Sequence, residues 1–285
     1  MALAAAAGLL LWLPAGGQAE TLSLSAVISA AGEGEANWHV FTHLVQLDPA
    51  NTYTGGAAIQ EDTCIRGNGA TLDLDNESLM VLNLGPEDAT RFDIDHCVIV
   101  EGGTSVYSEY GGGIEFGPGT QGWVINNTFY HNNPYGIYLH EVEVTSGAAR
   151  IEFNIFYQDG LAGIVINDAQ VGLLEIRYND SNGHTADYAM HCGCGSEELV
   201  QIQPGVPPEG GDPPFYLDPS NFMDYPGFVH DPADPHGGPA DYHLAENSPC
   251  RGDNGPSPVD LGAFPYTSSP AEPTTWGALK ARFRE

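Results

Sequence analysis

The chain has 285 residues, 42% hydrophobic and 10% aromatic, enough to bury a sizeable core, while 36 glycines and 21 prolines argue against long helices and for turn-rich β-structure. Eight lysines and arginines against 38 acidic residues leave a formal charge of −30. That charge repels nucleic acid and anionic membranes at long range, so neutral glycans or calcium are the easier partners.

Residues 2 to 13 form an apolar Ala/Leu run, and the small residues of Gly17-Gln18-Ala19 follow, the pattern of a secretory signal peptide at 1–19 cleaved before Glu20. No cation precedes the run, and a buried N-terminal helix is the alternative; the run is too short to span a bilayer. The mature protein is expected to be secreted or at the cell surface, monomeric and without a membrane span. Residues 20–58 alternate weakly as far as Tyr53-Thr54-Gly55-Gly56 and read as an N-terminal capping region.

From 59 to 203 one spacing recurs: an apolar residue, a small or amide residue three places on, and another residue two further. It runs through Ile65/Asn68/Ala70, Ile94/Cys97/Ile99, Val124/Asn127/Phe129, Ile151/Asn154/Phe156 and Ile176/Asn179/Ser181, in steps of 29, 30, 27 and 25 residues. A solenoid whose turns bury the same positions while its loops vary has this signature. The next residue in each copy forms a column Arg66, Asp95, Ile125, Glu152, Arg177, in which Arg66 can pair with Asp95 and Glu152 with Arg177 across rungs about 4.8 Å apart.

A second set of short strands lies between the copies, around Val81, Glu115, Tyr138, Val165 and Ala189. Strand alternation turns Ile114, Phe116, Ile137, Leu139, Ile164 and Ile166 inward. It leaves an outward column Val81, Glu115, Tyr138, Val165, Ala189 and, beside it, Asn83, Gly117, His140, Asn167, His191. On that face Tyr138 can stack on a sugar, Asn167 can read hydroxyls, and Glu115 or Asp168 can accept hydrogen bonds or hold calcium. With His140, Glu141 and His191 they are the candidate ligand-binding residues, and Glu115, His140 and Asp168 are the candidate catalytic ones. Glu115 and Asp168, two rungs apart, would be roughly 9 to 10 Å from each other, near the range for inverting glycoside hydrolysis; Glu115 with Glu141 would favour retention. Carboxylates on exposed strands also discourage edge pairing and keep a protein soluble. No metal site and no cofactor is assigned, with calcium the one possible ion.

Five cysteines in an exported chain permit two disulfides, and Cys192 or Cys194 with Cys250 is the expected pair. Beyond residue 204 the texture changes: 16 of the 21 prolines lie from Pro204 to Pro273 and no repeat continues. The 204–273 segment is expected to pack back over the side or end of the solenoid. Residues 274–285, with Trp276, Leu279 and Phe283 at helical spacing and three of the eight cations, read as a short amphipathic tail.

The stacked copies, the asparagine column at 68, 127, 154 and 179, and the run Ile65-Arg66-Gly67-Asn68-Gly69-Ala70-Thr71-Leu72-Asp73 resemble the right-handed parallel β-helix proteins of the pectin-lyase-like superfamily. The likeness continues in Asp241-Tyr242-His243-Leu244, Ser248-Pro249-Cys250 and Val259-Asp260-Leu261-Gly262-Ala263-Phe264, covering roughly residues 55 to 266. The resemblance implies an all-β, right-handed parallel β-helix solenoid with an irregular Pro/Gly-rich C-terminal segment, in which stacked asparagines bond from rung to rung inside a turn. The fold hosts many chemistries, so it does not fix one. The Gly-His-Gly and Arg-x-Lys of polygalacturonase-like hydrolases are missing, Asp93 and Asp95 alone do not restore that pattern, and the only lysine, Lys280, lies outside the solenoid. The expected role is therefore structural or glycan-binding, toward a polysaccharide or cell-envelope glycan, with a polysaccharide hydrolase or lyase as the alternative.

Overall fold

The computed structural model describes residues 19–84, 89–105, 108–140, 149–167, 174–191, 199–206, 217–234 and 240–264. The proposed signal peptide up to residue 18 and the 274–285 tail lie outside the described residues. The chain coils into three parallel sheets. Sheet I stacks His43–Gln46, Thr63–Arg66, Thr90–Asp95, Trp123–Ile125, Arg150–Glu152 and Glu175–Arg177. Sheet II stacks Thr21–Ser23, Thr52–Thr54, Thr71–Asp73, Val98–Val100, Thr128–Tyr130, Ile155–Tyr157 and Asp180–Asn182. Sheet III stacks Ala57–Ile59, Leu79–Val81, Ile114–Phe116, Tyr135–His140, Ala162–Asn167 and Ala186–His191, and ends on the antiparallel strand Leu199–Gln201. The coil thus begins near residue 21, well before 59. The helix Leu24–Ala30, N-capped by Ser23, buries Leu24 and Ile28 and closes the first end.

Period-two alternation fills the interior. Ile65, Ile94, Val124, Ile151 and Ile176 stack in sheet I, and the Phe129 and Phe156 rings stack in sheet II with centroids 4.6 Å apart. In sheet III the six inward residues named from alternation all lie in the core. The register corrects two details of the outward columns. Met80 rather than Val81 stands level with Glu115, and Leu82 rather than Asn83 with Gly117, because Leu79 and Val81 are the inward pair.

Each tight turn from sheet I to sheet II buries backbone groups that no strand can satisfy, and a column of amides satisfies them. Asn154 Oδ1 accepts from the backbone N–H of Asn127 at 2.9 Å, and its Nδ2 donates to the carbonyls of Val124 and Glu152 at 2.8 and 3.0 Å. Asn127 and Asn179 repeat the pattern. Asn68 does not belong to this ladder. Seven residues separate Ile65 from Leu72 where five separate Ile94 from Ile99, and the longer turn carries Asn68 outside. There it has φ +54° and donates to Leu47 O at 3.1 Å. Leu72, not Ala70, is the inward partner of Ile99. Cys97 ends the ladder, and Gly67 beneath it leaves room for the thiol, since a Cβ there would come within 2.4 Å of Cys97 Sγ. The other end is longer than expected: Asn221, inside the proline-rich segment, accepts from Asn179 N at 3.1 Å and donates to Ile176 O at 2.8 Å, adding a partial rung.

A second ladder runs through the turn from sheet II to sheet III. Asn132 Oδ1 accepts from Gly102 N at 2.9 Å and its Nδ2 donates to Ile99 O at 3.0 Å. Asp159 Oδ1 accepts from the backbone and side-chain N–H groups of Asn132, both at 2.9 Å. His184 then faces Asp159 O at 2.7 Å and Phe156 O at 3.2 Å. Ile99 and Phe156 hold equivalent places, so the equivalent carbonyl for Asp159 Oδ2 is that of Phe129. The carboxyl can donate to it only when protonated. Burial pushes Asp159 up to about 8, against the bonds from Asn132 that favour its anion.

After residue 226 the chain crosses the outer face of sheet II. Phe228, Leu244, Cys250, Val259 and Leu261 pack on Phe153, Ile155 and Tyr157, while Tyr130 donates to Pro232 O at 3.2 Å and Gly262 N to Phe153 O at 2.9 Å. Cys64, Cys97 and Cys250 are buried free thiols, so the expected disulfide to Cys250 is not formed. Instead the Cys250 thiol donates to Asp180 Oδ2 at 3.1 Å, in a pocket where burial pushes both groups up.

Asn154→Ala is expected to cost about 3 to 5 kcal/mol in urea unfolding because several buried partners are orphaned at once, whereas Asn68→Gly, which tolerates the positive φ, costs under about 1 kcal/mol. Asp159→Asn tests the second ladder. A group whose native pKa lies above its unfolded value contributes stability that is lost as pH rises toward the native pKa, so between pH 6.5 and 8 wild type loses roughly 1 to 2 kcal/mol relative to the variant. Thermal melts at the two pH values check this.

Candidate functional site

The outer face of sheet III is covered where the expected ligand-binding residues cluster. The antiparallel pair Gly103–Ser105 and Ser108–Gly112 leaves sheet II and lays Tyr110 on Tyr138, ring planes 4° apart and centroids 4.8 Å apart. Tyr138 also stacks on Tyr135 and is fully buried, as are Val165 and Ala189. Glu115 is buried too, so the sugar platform and the lead carboxylate expected from strand phase lie under protein. Burial drives the Tyr138 phenol up, and its oxygen accepts from Asn167 Nδ2 at 2.9 Å. His140, Asn167 and His191 do stand level on successive rungs, half-buried beside the Tyr110 and Tyr138 rings. Glu141 and Asp168 lie outside the described residues, as do Cys192 and Cys194.

Sheet II is covered by the C-terminal segment, which leaves sheet I. Its outward columns are Leu44, Cys64, Asp93, Trp123, Arg150, Glu175 and Gln46, Arg66, Asp95, Ile125, Glu152, Arg177. Both ion pairs expected in the second column are present, Arg66 with Asp95 and Glu152 with Arg177. They belong to a larger network. Asp93, almost fully buried, accepts from Arg91 Nε and Nη2 at 3.0 Å each, from Asn37 Nδ2 at 2.7 Å and from Trp123 N at 3.1 Å. Trp123 lies between rungs that supply a guanidinium each, Arg91 at 4.8 Å and Arg150 at 4.9 Å from its ring centroid. Arg150 then bonds Glu152 at 2.9 Å and pairs with Glu175 at 3.0 Å. Four of the five arginines that precede the tail are on this face, each answered by a carboxylate.

A hairpin covers half of it. Gly34–Ala36 and His39–Phe41 pair around a two-residue turn, and Gly34 sits so close to Leu44 that a Cβ would meet its side chain at 2.3 Å. Phe41 is buried beneath Arg91, His39 bonds Asp62 at 2.5 Å, and Asn37 bridges Asp93 and Arg66. The first three rungs are therefore roofed, and the floor opens toward Trp123, Arg150 and Glu175. Exposure of the arginine side chains follows that direction, from 13% at Arg66 to 39% at Arg177, while Glu152 stays buried between them. Burial pushes the roofed Cys64 thiol up to about 12, so it stays protonated.

Among the described residues no three His, Cys, Asp or Glu side chains are grouped to hold a metal ion, and no helix is long and apolar enough to cross a membrane. The open floor offers a charge-balanced, planar array of hydrogen-bonding groups, with every carboxylate of the ladder engaged by a guanidinium. A family model described as the right handed beta helix region matches residues 53–200, which is 148 of 285 positions. No curated protein and no solved structure matches the chain.

Glu152 is buried and bonds both Arg150 and Arg177, which are partly exposed and keep Glu175 as a second partner, so Glu152→Ala is expected to cost about 1 to 2 kcal/mol through the lost charged hydrogen bonds. Glu175→Ala, at the half-exposed rim, is expected to cost no more than about 1 kcal/mol in the same unfolding assay.

Proposed function

The chain belongs to the right-handed β-helix family, and from that premise we propose that it is a non-catalytic module outside the cytoplasm that binds an extended neutral glycan along the open half of sheet I. One observation carries the reading: among the described residues, the open half of sheet I repeats partly exposed charged groups rung by rung, whereas the polar residues of sheet III stand beside the Tyr110 and Tyr138 rings. Arg150, Arg177 and Glu175 present donors and acceptors in register, spaced by about 4.8 Å per strand, as a chain of hydroxylated rings requires. Balanced charge on the floor gives no pull on polyanions, and the −30 of the whole chain opposes them. The apolar N-terminal run supports export.

Co-sedimentation with insoluble cellulose and xylan tests the proposal. The full chain is expected to pellet with at least one of them and to do so still in 1 M salt, where purely electrostatic attraction is screened within about 3 Å. Arg150→Met should weaken retention several-fold and His140→Ala should leave it unchanged; the reverse pattern would move binding to sheet III and end this assignment.

A further inference from the structure

The turn of the roofing hairpin contains an anomaly that packing does not explain. Asn37 and Trp38, its two central residues, both have positive φ, +49° and +64°. A two-residue turn of this kind needs that geometry, and asparagine adopts it readily, but the second position ordinarily falls to glycine because a bulky side chain is strained there. Here the second position holds a tryptophan whose surface is 85% exposed. The fold gains little buried area from the ring, so packing does little to offset the strain. The rest of the hairpin is fixed in place through Asn37 to Asp93 and Arg66, and through His39 to Asp62. A rigid arm therefore holds one large aromatic ring in water, with Val40 also 60% exposed.

Resting on the assignment of sheet I as the glycan face, we propose that Trp38 is the aromatic platform of that site, stacking one pyranose ring of a neutral glycan where the roofed and open halves of the sheet meet. The tip is placed for this: Asn37 touches Asp93, and Asp93 in turn bonds the backbone of Trp123, the first residue of the open floor. A sugar offers an apolar C–H face to the indole and hydroxyls to the polar groups alongside, which matches one ring set among guanidinium and carboxylate groups. A second copy of the chain fits less well, because a stable protein interface buries about 800 Å² per partner and Trp38 with Val40 supplies only a fraction of that. Backbone strain at an exposed aromatic residue is also the kind of outlier from which a functional role is properly inferred.

Affinity gel electrophoresis of the full chain through hydroxyethylcellulose, xylan and laminarin, with light scattering in parallel, tests the proposal on Trp38→Gly and Trp38→Tyr. Glycine suits the turn, so Trp38→Gly is expected to keep or raise the melting temperature while weakening retardation about fivefold or more; Trp38→Tyr restores most of it. Equal retardation of wild type and Trp38→Gly overturns the role of Trp38 and leaves the sheet I assignment standing. Absence of retardation of wild type in all three gels overturns both. A wild-type dimer that Trp38→Gly dissociates, with retardation unchanged, overturns the platform in favour of self-association.

Discussion

The structure depends on the requirement that every buried turn pair its backbone groups with those of the next rung. Strands in a parallel stack satisfy one another, but the corners cannot, and an unpaired buried N–H or C=O costs as much as a lost hydrogen bond. The amides of Asn127, Asn154, Asn179 and Asn221 meet this cost by accepting from one rung and donating to another. Each amide therefore fixes the height and rotation of its neighbours, and the outward columns of sheets I and III inherit that register. The carboxyl of Asp159 shows the same demand from another side: in a slot built for an amide, an acid is held neutral.

A solenoid has three broad outer faces, and what covers each decides what it can do. Here the C-terminal segment takes sheet II and the Tyr110 arm takes much of sheet III, so carboxylates and aromatics that strand phase turns outward end up beneath protein. Sheet I is roofed over its first rungs only. Its arginines pair with carboxylates in the columns and sandwich Trp123, which makes the floor stiff and polar at once. Stiffness of this kind lowers the entropy lost when an extended ligand settles on it.

Much of the architecture was legible because the ladder at 127, 154 and 179 repeats one residue type in one interior slot. Asn68 fits the fixed spacing yet stands outside the ladder for a definable reason: the turn after Ile65 is two residues longer than the turn after Ile94. Asn132, Asp159 and His184 repeat the same steps of 27 and 25 residues as the first ladder, yet three different side chains hide the column. Asn221 was hidden by a step of 42 residues through proline-rich chain. The ion pairs of sheet I followed from neighbouring rungs and were readable. The covering of Tyr138 and the roof over Asp93 were not, because they depend on excursions that leave the repeat and return across a face, which local periodicity does not record.

The helix Leu24–Ala30 plugs one end of the stack and the Asn221 rung finishes the other, so both termini are specialised while the middle is made of interchangeable units. The number of units is then free to vary without disturbing either stopper. Copying the stretch 124–150, whose flanking strands already pair as neighbours, would insert one more tier and lengthen the cylinder by about 4.8 Å. In such a scaffold reach is set by counting, and natural or engineered versions of different length would differ in how many rungs each outer face presents rather than in the geometry of any one rung.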